Sequence, residues 1–341
     1  MTTGSSTARP PRRATGSHHM ARAVWYTAPG KVELRSSRVG PPPPGQARVR
    51  MAWSGISRGT ERLVLSGAIP MSERVRMRAP LQDGDLPFPV KYGYCAVGTV
   101  EDGPADLIGR IVFCLHPHQD IFLAPVDMLV PIPAGIPPRR ATLAANMETA
   151  LNALWDSGAA PGDRIVVVGG GIVGLMIAAL AARLPGADVT LIDVAEERRA
   201  LAQSLGVAFA LPGAVPAGAD VVFHASVSSA GLNTAIGCAG PEATIVEMSW
   251  YGDAAVAVNL GGAFHSSRLR LISSQVGQVS AGHRPRWTHR RRLEAALGLL
   301  DDRRLDALVA DEIAFADAAT ELPRILGDGA AGLAPVIRYG E

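Results

Sequence analysis

The sequence predicts an α/β protein in which a β-rich front leads into a doubly wound parallel sheet. Three observations predict it. Residues 164–175, RIVVVGGGIVGL, read as a buried strand, a glycine turn and the start of a helix. Beyond them, strand-like and helical runs alternate, as in successive βαβ units. Before them, residues 21–146 hold short strand-like runs punctuated by Gly and Pro.

The central run carries the first functional expectation. Ile165 to Val168 is apolar and β-branched, as a strand covered on both faces must be. Gly169, Gly171 and Gly174 then fit G-x-G-x-x-G: one glycine for the tight turn, one for close approach of a pyrophosphate, one for helix–strand packing. Ile172 and Val173 open the helix, whose free N–H groups would face the phosphates. Asp193 ends the next strand about twenty residues on, where a carboxylate grips the adenosine ribose. A carboxylate there hydrogen-bonds a 2′-hydroxyl and repels a 2′-phosphate, which predicts NAD(H) in preference to NADP(H). Arg198 and Arg199 follow, and an arginine nearby can accept that phosphate; the other reading is a solvated helix face. Ser226 lies just beyond a fourth strand, Asp220 to His224, at the edge where open α/β sheets bind ligands.

The remaining elements follow in order. Ala21–Tyr26 and Lys31–Arg35 read as strands joined at Ala28-Pro29-Gly30, and Ala47–Trp53 alternates as a half-buried strand does. Ser54 to Glu61 is a polar turn entering a short helix, and 66–89 is a long surface loop. Strands are expected at Val90–Val100, Ile108–Leu115 and Phe122–Pro131, with a polar loop over His116–Asp120, then a helical stretch over Pro137–Leu154. In the second half, strands are expected at Val207–Leu211, Thr244–Met248, Leu269–Ser273, Ala307–Phe315 and Ala334–Tyr339, and helices at Thr288–Leu300 and Ala316–Leu326.

Composition bounds the function. The chain has 341 residues, 48% of them apolar and 19% charged, and a formal net charge of +2, which gives no case for nucleic acid. The basic run Arg284–Arg292 reads as a solvated helix start, balanced by acids nearby. No apolar run reaches membrane-spanning length. Cys95, Cys114 and Cys238 are scattered and form no CxxC pair, which fits a reducing cytoplasm. Residues 1–20 are polar with no apolar stretch, an expected disordered or tag-like extension.

Taken together, the front, the dinucleotide unit and the returning β/α tail resemble the medium-chain dehydrogenase/reductase superfamily. The segment Ser54-Gly55-Ile56-Ser57-Arg58-Gly59-Thr60-Glu61, the pair Gly93-Tyr94 and the run Ser273-Ser274-Gln275-Val276-Gly277 are similar to its bacteriochlorophyllide a dehydrogenase-like branch. The resemblance implies a GroES-like catalytic domain from both chain ends (21–146 and 277–341), a Rossmann domain between them (147–276), a cofactor contact at Thr149, and a homodimer. It also implies a catalytic zinc in most members. Carried over, the ligand positions fall on Ser57, on Tyr94 with Cys95 after it, and at or near Ala145, where Glu148 is the one residue that could substitute. Neutral hydroxyls are poor partners for zinc, and three cysteines cannot supply a four-cysteine structural lobe. His116, His118 and Cys114 could form a different metal site but lack a further thiolate or carboxylate beside them. The expectation is a protein without zinc.

A zinc-free site needs another group to hydrogen-bond or protonate the reacting oxygen. Tyr94 supplies a phenol, Ser57 and Thr60 could relay a proton, Glu61 or Glu148 could receive it, and His116 and His118 are alternatives. Each has a plainer reading: Tyr94 as filler for the lost metal, Thr60 and Glu61 as helix-start residues. Three functions fit: an NAD(H)-dependent alcohol dehydrogenase or ketoreductase for a bulky substrate, an NADPH-dependent ene or quinone reductase, or a non-catalytic cofactor-binding protein. All three take small molecules and none needs a membrane.

Overall fold

The computed structural model describes residues 18–327 and 332–340. The extension expected over residues 1–20 lies outside the described residues through residue 17, and His19 and Met20 already belong to the first strand. The front runs β1 (His19–Ala28), β2 (Lys31–Val39), β3 (Gln46–Gly55), α1 (Arg58–Ser66), β4 (Asp83–Gly84), β5 (Val90–Lys91), β6 (Ala96–Asp102), β7 (Ile111–Cys114), β8 (Ile121–Pro125) and β9 (Val130–Pro131). Helices α2 (Pro138–Ala141) and α3 (Ala144–Ser157) lead on to β10 (Arg164–Val168), α4 (Ile172–Ala181), β11 (Asp188–Ile192), α5 (Arg198–Ser204), β12 (Ala208–Ala210) and β13 (Ala219–His224). Then come α6 (Ser229–Cys238), β14 (Ala239–Glu247), α7 (Ala263–Ser266), β15 (Arg270–Ser273), α8 (His289–Leu299), β16 (Glu312–Ala314), α9 (Ala318–Leu326) and β17 (Val336–Arg338).

The described residues form three sheets. Six strands in the order β12-β11-β10-β13-β14-β15 form a parallel sheet. A second sheet has the order β16-β17-β3-β6-β7-β9, with β8 also on β3, and a small one has the order β2-β1-β5-β4. Because β17 pairs antiparallel with β3, the front unit is built from both ends of the chain. This is the α/β fold expected: a GroES-like β-rich unit joined to a Rossmann unit.

The burial of β10 explains its composition. Ile165 and Val167 point into one core with Met147, Leu175 and Ile177, while Val166 and Val168 point into another with Leu232 and Ile245. Both faces are covered, so an alternating pattern would be wrong here, and each such side chain contributes roughly 1.5–3 kcal/mol of burial.

Three expected strands are divided, each for a local reason. The run 90–100 breaks between β5 and β6 because Gly93 sits at φ 121, a conformation L side chains rarely adopt, and its missing Cβ would lie 2.9 Å from the His118 ring. The run 122–131 breaks at Pro125, which has no N–H to continue a ladder, and a 3-10 turn over Val126–Met128 precedes β9. The run 307–315 is instead a 3-10 turn over Arg303–Leu308, capped by the Asp302 carboxylate, and the short β16. Helix α6 was not anticipated; its start is capped by Ser228, whose hydroxyl accepts from the Gly231 N–H at 3.0 Å.

Register places the site. Val168 pairs with Ile192 on one side and His224 on the other, and His224 pairs with Glu247. The carboxyl ends of β10, β11, β13 and β14 therefore align, and Gly169, Asp193, Ser226 and the residues after Glu247 emerge along one edge.

Candidate active site

The glycine turn has the shape its spacing requires. A Cβ on Gly174 would lie 1.9 Å from the Gly169 carbonyl oxygen, so α4 packs directly on the turn. Gly171 has nothing within 4 Å of a would-be Cβ and is exposed, and it is the N-cap of α4 without any side-chain cap. An open cradle before uncapped N–H groups, flanked by the half-exposed Ile172 and Val173, fits the pyrophosphate of a dinucleotide. Asp193 is pinned beside it: its Oδ2 accepts from the Gly170 N–H and its Oδ1 from the Ala195 N–H at 2.8 Å. Arg198 lies over the same turn, its Cγ 3.3 Å from a would-be Cβ on Gly170, and its guanidinium reaches the Gly332 carbonyl at 3.3 Å. Arg58 of α1 meets that same carbonyl at 2.6 Å, so the two units bring two cations to one edge of the cradle. Burial and then the neighbouring Arg62 lower the Arg58 guanidinium from its ordinary value. Sequence reasoning passed over Arg58; its place directly after Ser57 was the available signal.

Across the cleft, the Tyr94 hydroxyl hydrogen-bonds Ser57 Oγ at 2.5 Å and Thr60 Oγ1 at 3.2 Å. The structure thus brings together three of the residues singled out in sequence. Gly93 turns the chain so that Tyr94 emerges between the two front sheets, and α1 presents Thr60 one turn away. Burial, and next the adjacent Cys95, push the Tyr94 phenol well above its ordinary value, so it stays protonated. It can donate a hydrogen bond and is no base.

Glu61 and His118 form a buried network that meets this cluster at Ser57. Glu61 accepts from the Tyr26 hydroxyl (2.7 Å) and the Ser57 N–H (2.8 Å) and pairs with His118 Nε2 (3.0 Å). His118 Nδ1 continues to Ser54 Oγ (2.7 Å), which meets the Tyr339 hydroxyl (2.9 Å), so strand-end residues from both chain ends share one chain of bonds. Other predicted residues go elsewhere. His116 is buried, stacked on Phe122 (3.8 Å between ring centres), and shares a hydrogen bond with the Pro117 carbonyl. Glu148 pairs with Arg292 at 2.9 Å, and Thr149 bonds the Ala145 carbonyl within α3.

The residues at the carried-over zinc positions do not fit the ion. Ser57 and Tyr94 bond each other, burial pushes the Cys95 thiol far up and keeps it neutral, and Glu148 is committed to Arg292. Among the described residues no group of three or more His, Cys, Asp or Glu could hold a metal.

One further cluster was missed: His224 at the end of β13, between Glu247 and Ser226. Loop residues after β14 close this side of the cleft, for a Cβ on Gly252 would lie 2.4 Å from the Ala68 carbonyl beyond α1, and Trp250 packs on the front core.

No protein-family model matches the sequence. A zinc-type alcohol dehydrogenase-like protein of Haemophilus influenzae is 38% identical over 89 residues, a match spanning 26% of this chain and 26% of that protein. Among solved structures, L-idonate 5-dehydrogenase of Escherichia coli K-12 superposes with a TM-score of 0.77 at 14% identity, covering 95% of this chain and 100% of that one. A protein described as a short-chain alcohol dehydrogenase of Escherichia coli CFT073, complexed with NADH, superposes at 0.74 with 15% identity over 95% and 100%. Staphylococcus aureus TarJ in complex with NADPH gives 0.73 with 16% identity over the same shares. The chain therefore shares its fold with these solved structures. No helix among the described residues is long and apolar enough to cross a membrane.

Proposed function

We propose that the chain is an NAD(H)-dependent oxidoreductase that interconverts a secondary alcohol and a ketone on a bulky substrate, without zinc. The observation that carries this reading is the cleft itself: a dinucleotide cradle with a pinned carboxylate on one wall and a phenol–hydroxyl cluster on the other. When bound, the nicotinamide supplies or accepts the hydride. The chain's own residues do the rest. Gly169 to Gly174 and the α4 N-terminus hold phosphates, Arg58 adds charge, and Asp193 faces the ribose. Tyr94, aligned by Ser57 and Thr60, donates a hydrogen bond to the oxygen on which charge develops. The loop over residues 66–89 would shape a large pocket.

A second reading has its own support. Arg198 lies beside Asp193 over Gly170, where a guanidinium could meet a 2′-phosphate, which favours an NADPH-dependent ene or quinone reductase. Titration of purified protein with NADH and NADPH, watching nicotinamide fluorescence, separates the two. A panel of bulky secondary alcohols and ketones assayed with and without a chelator completes the test. Tighter NADH binding and chelator-resistant turnover are expected. Preference for NADPH with enone reduction favours the second reading, and zinc bound at one ion per chain with turnover lost on chelation overturns the first.

A further inference from the structure

We propose that Ser226, His224 and Glu247 form a proton relay that opens on the nicotinamide half of the cleft and takes up the proton released when an alcohol is oxidised. The inference rests on the oxidoreductase reading above. Strands β13 and β14 are neighbours in register, so His224 stands directly opposite Glu247. His224 Nδ1 lies 2.8 Å from Glu247 Oε2, and His224 Nε2 lies 2.7 Å from Ser226 Oγ. A carboxylate accepts, so Nδ1 carries the hydrogen and Nε2 is left to accept from the serine. This is a hydroxyl, a base and an orienting acid in sequence, an arrangement recognised by geometry and not by order in the chain.

The surroundings support an ionised acid. Glu247 also accepts from the Ser249 N–H (2.7 Å) and the Tyr251 hydroxyl (3.2 Å). Burial works to raise its carboxyl, but His224 and Ser249 outweigh it and hold the group below the usual range. The other groups facing His224 are Ser249 and Tyr251 from beyond β14 and Ser226 from its own loop. Tyr251 stays protonated, its phenol pushed up to about 12, first by burial and then by Glu247.

Two features shape the relay. Gly231, in the first turn of α6, packs against it and has room for no side chain: a Cβ would lie 1.9 Å from Ser226 Oγ and 2.8 Å from His224 Nε2, and Ser226 Oγ also meets Ser228 Oγ at 3.0 Å. Val227, directly after Ser226, is exposed and held at φ 53, a conformation that is strained for a β-branched residue, with its N–H on Ser249 Oγ at 3.1 Å. The position follows from topology. The strand order reverses between β10 and β13, and Ser226 N lies 2.7 Å from a would-be Cβ on Gly169. Ser226 therefore stands at the switch point on the side away from Asp193, which is the nicotinamide side of a dinucleotide crossing there.

The step balances as follows. The substrate O–H proton passes to Ser226 Oγ as Ser226's own proton passes to His224 Nε2, while the hydride leaves with the cofactor. The resulting imidazolium is matched by Glu247, and reduction reverses each transfer. Ser226 is the catalytic group; His224 and Glu247 are positioning residues that act through it.

Proton counting tests this without a substrate. Protein in weak buffer between pH 6 and 8 is mixed with saturating NAD+ or NADH beside a pH indicator, with binding followed by nicotinamide fluorescence. The nicotinamide ring is cationic in NAD+ and neutral in NADH, so a relay that faces it should make the two nucleotides differ in the protons exchanged on binding. His224→Gln should abolish the difference, and Glu247→Gln should change it. With the best alcohol from the panel, Ser226→Ala should lower kcat at least tenfold and Ser226→Thr should restore most of it. Binding of both nucleotides with no proton difference, or an unchanged difference in His224→Gln, overturns the relay alone. Failure to bind either nucleotide overturns the oxidoreductase reading and the relay with it.

Discussion

A phenol that burial keeps protonated can give a hydrogen bond to a developing oxyanion but cannot take a proton from an alcohol. Tyr94 is such a phenol, held by Ser57 and Thr60. Tyr94→Phe should lower turnover by roughly ten- to a thousandfold while NADH binding, read by fluorescence, is kept. Equal turnover would remove Tyr94 from the mechanism. Asp193→Ala should weaken NADH by about ten- to a hundredfold and NADPH much less, because only the 2′-hydroxyl uses the carboxylate; equal losses in calorimetry would undo the cofactor preference. These residues were legible in sequence because each lies inside a short local pattern. His224 was not: its acid partner is 23 residues away, and only the parallel register of β13 and β14 brings the two together. His116 shows the reverse case, a polar residue in a suggestive loop whose ring the structure stacks on Phe122.

At the scale of elements, the βαβ unit was readable because its signals are local: a β-branched run, glycines at fixed spacing, a helix, an acid. The divided strands were harder. Gly93 looked like a bend within one strand, yet β5 and β6 belong to different sheets, since the His118 ring occupies the space beside it. Helix α6 was missed because its start lies in a serine-rich turn and its body carries glycines. The strained turn before α6 yields a prediction. Val227→Gly relieves a left-handed β-branched residue worth about 1–2 kcal/mol and adds back about 0.5–1 kcal/mol of glycine entropy. Net stabilisation of about 1 kcal/mol should appear as a higher urea midpoint; a lower midpoint would mean that the valine side chain, not the backbone, decides that turn.

The molecule as a whole should be acid-sensitive through His116. Burial, only partly offset by the Pro117 carbonyl, pushes its imidazole down to about 3. The native state thus keeps the ring neutral while the unfolded chain takes up a proton below its ordinary value of about 6.5. Stability is complete above that value and is lost as pH falls toward 3, by about 2 kcal/mol at pH 5. His116→Gln should flatten this slope in urea unfolding at pH 7.5 and pH 5, and an unaltered slope would assign the acid sensitivity to other groups. The two-unit plan was visible in sequence as a change from short strands to alternating elements. The partner of the last strand was not visible, because a strand's composition does not say which edge it will join. That pairing bears on synthesis. A polypeptide emerging from the ribosome offers β3 long before β17, and the whole parallel sheet is translated in between. The parallel-sheet half can condense early, while the front half waits with an open edge, so on the proposed function a nascent chain should gain affinity for dinucleotide before it gains any capacity for turnover.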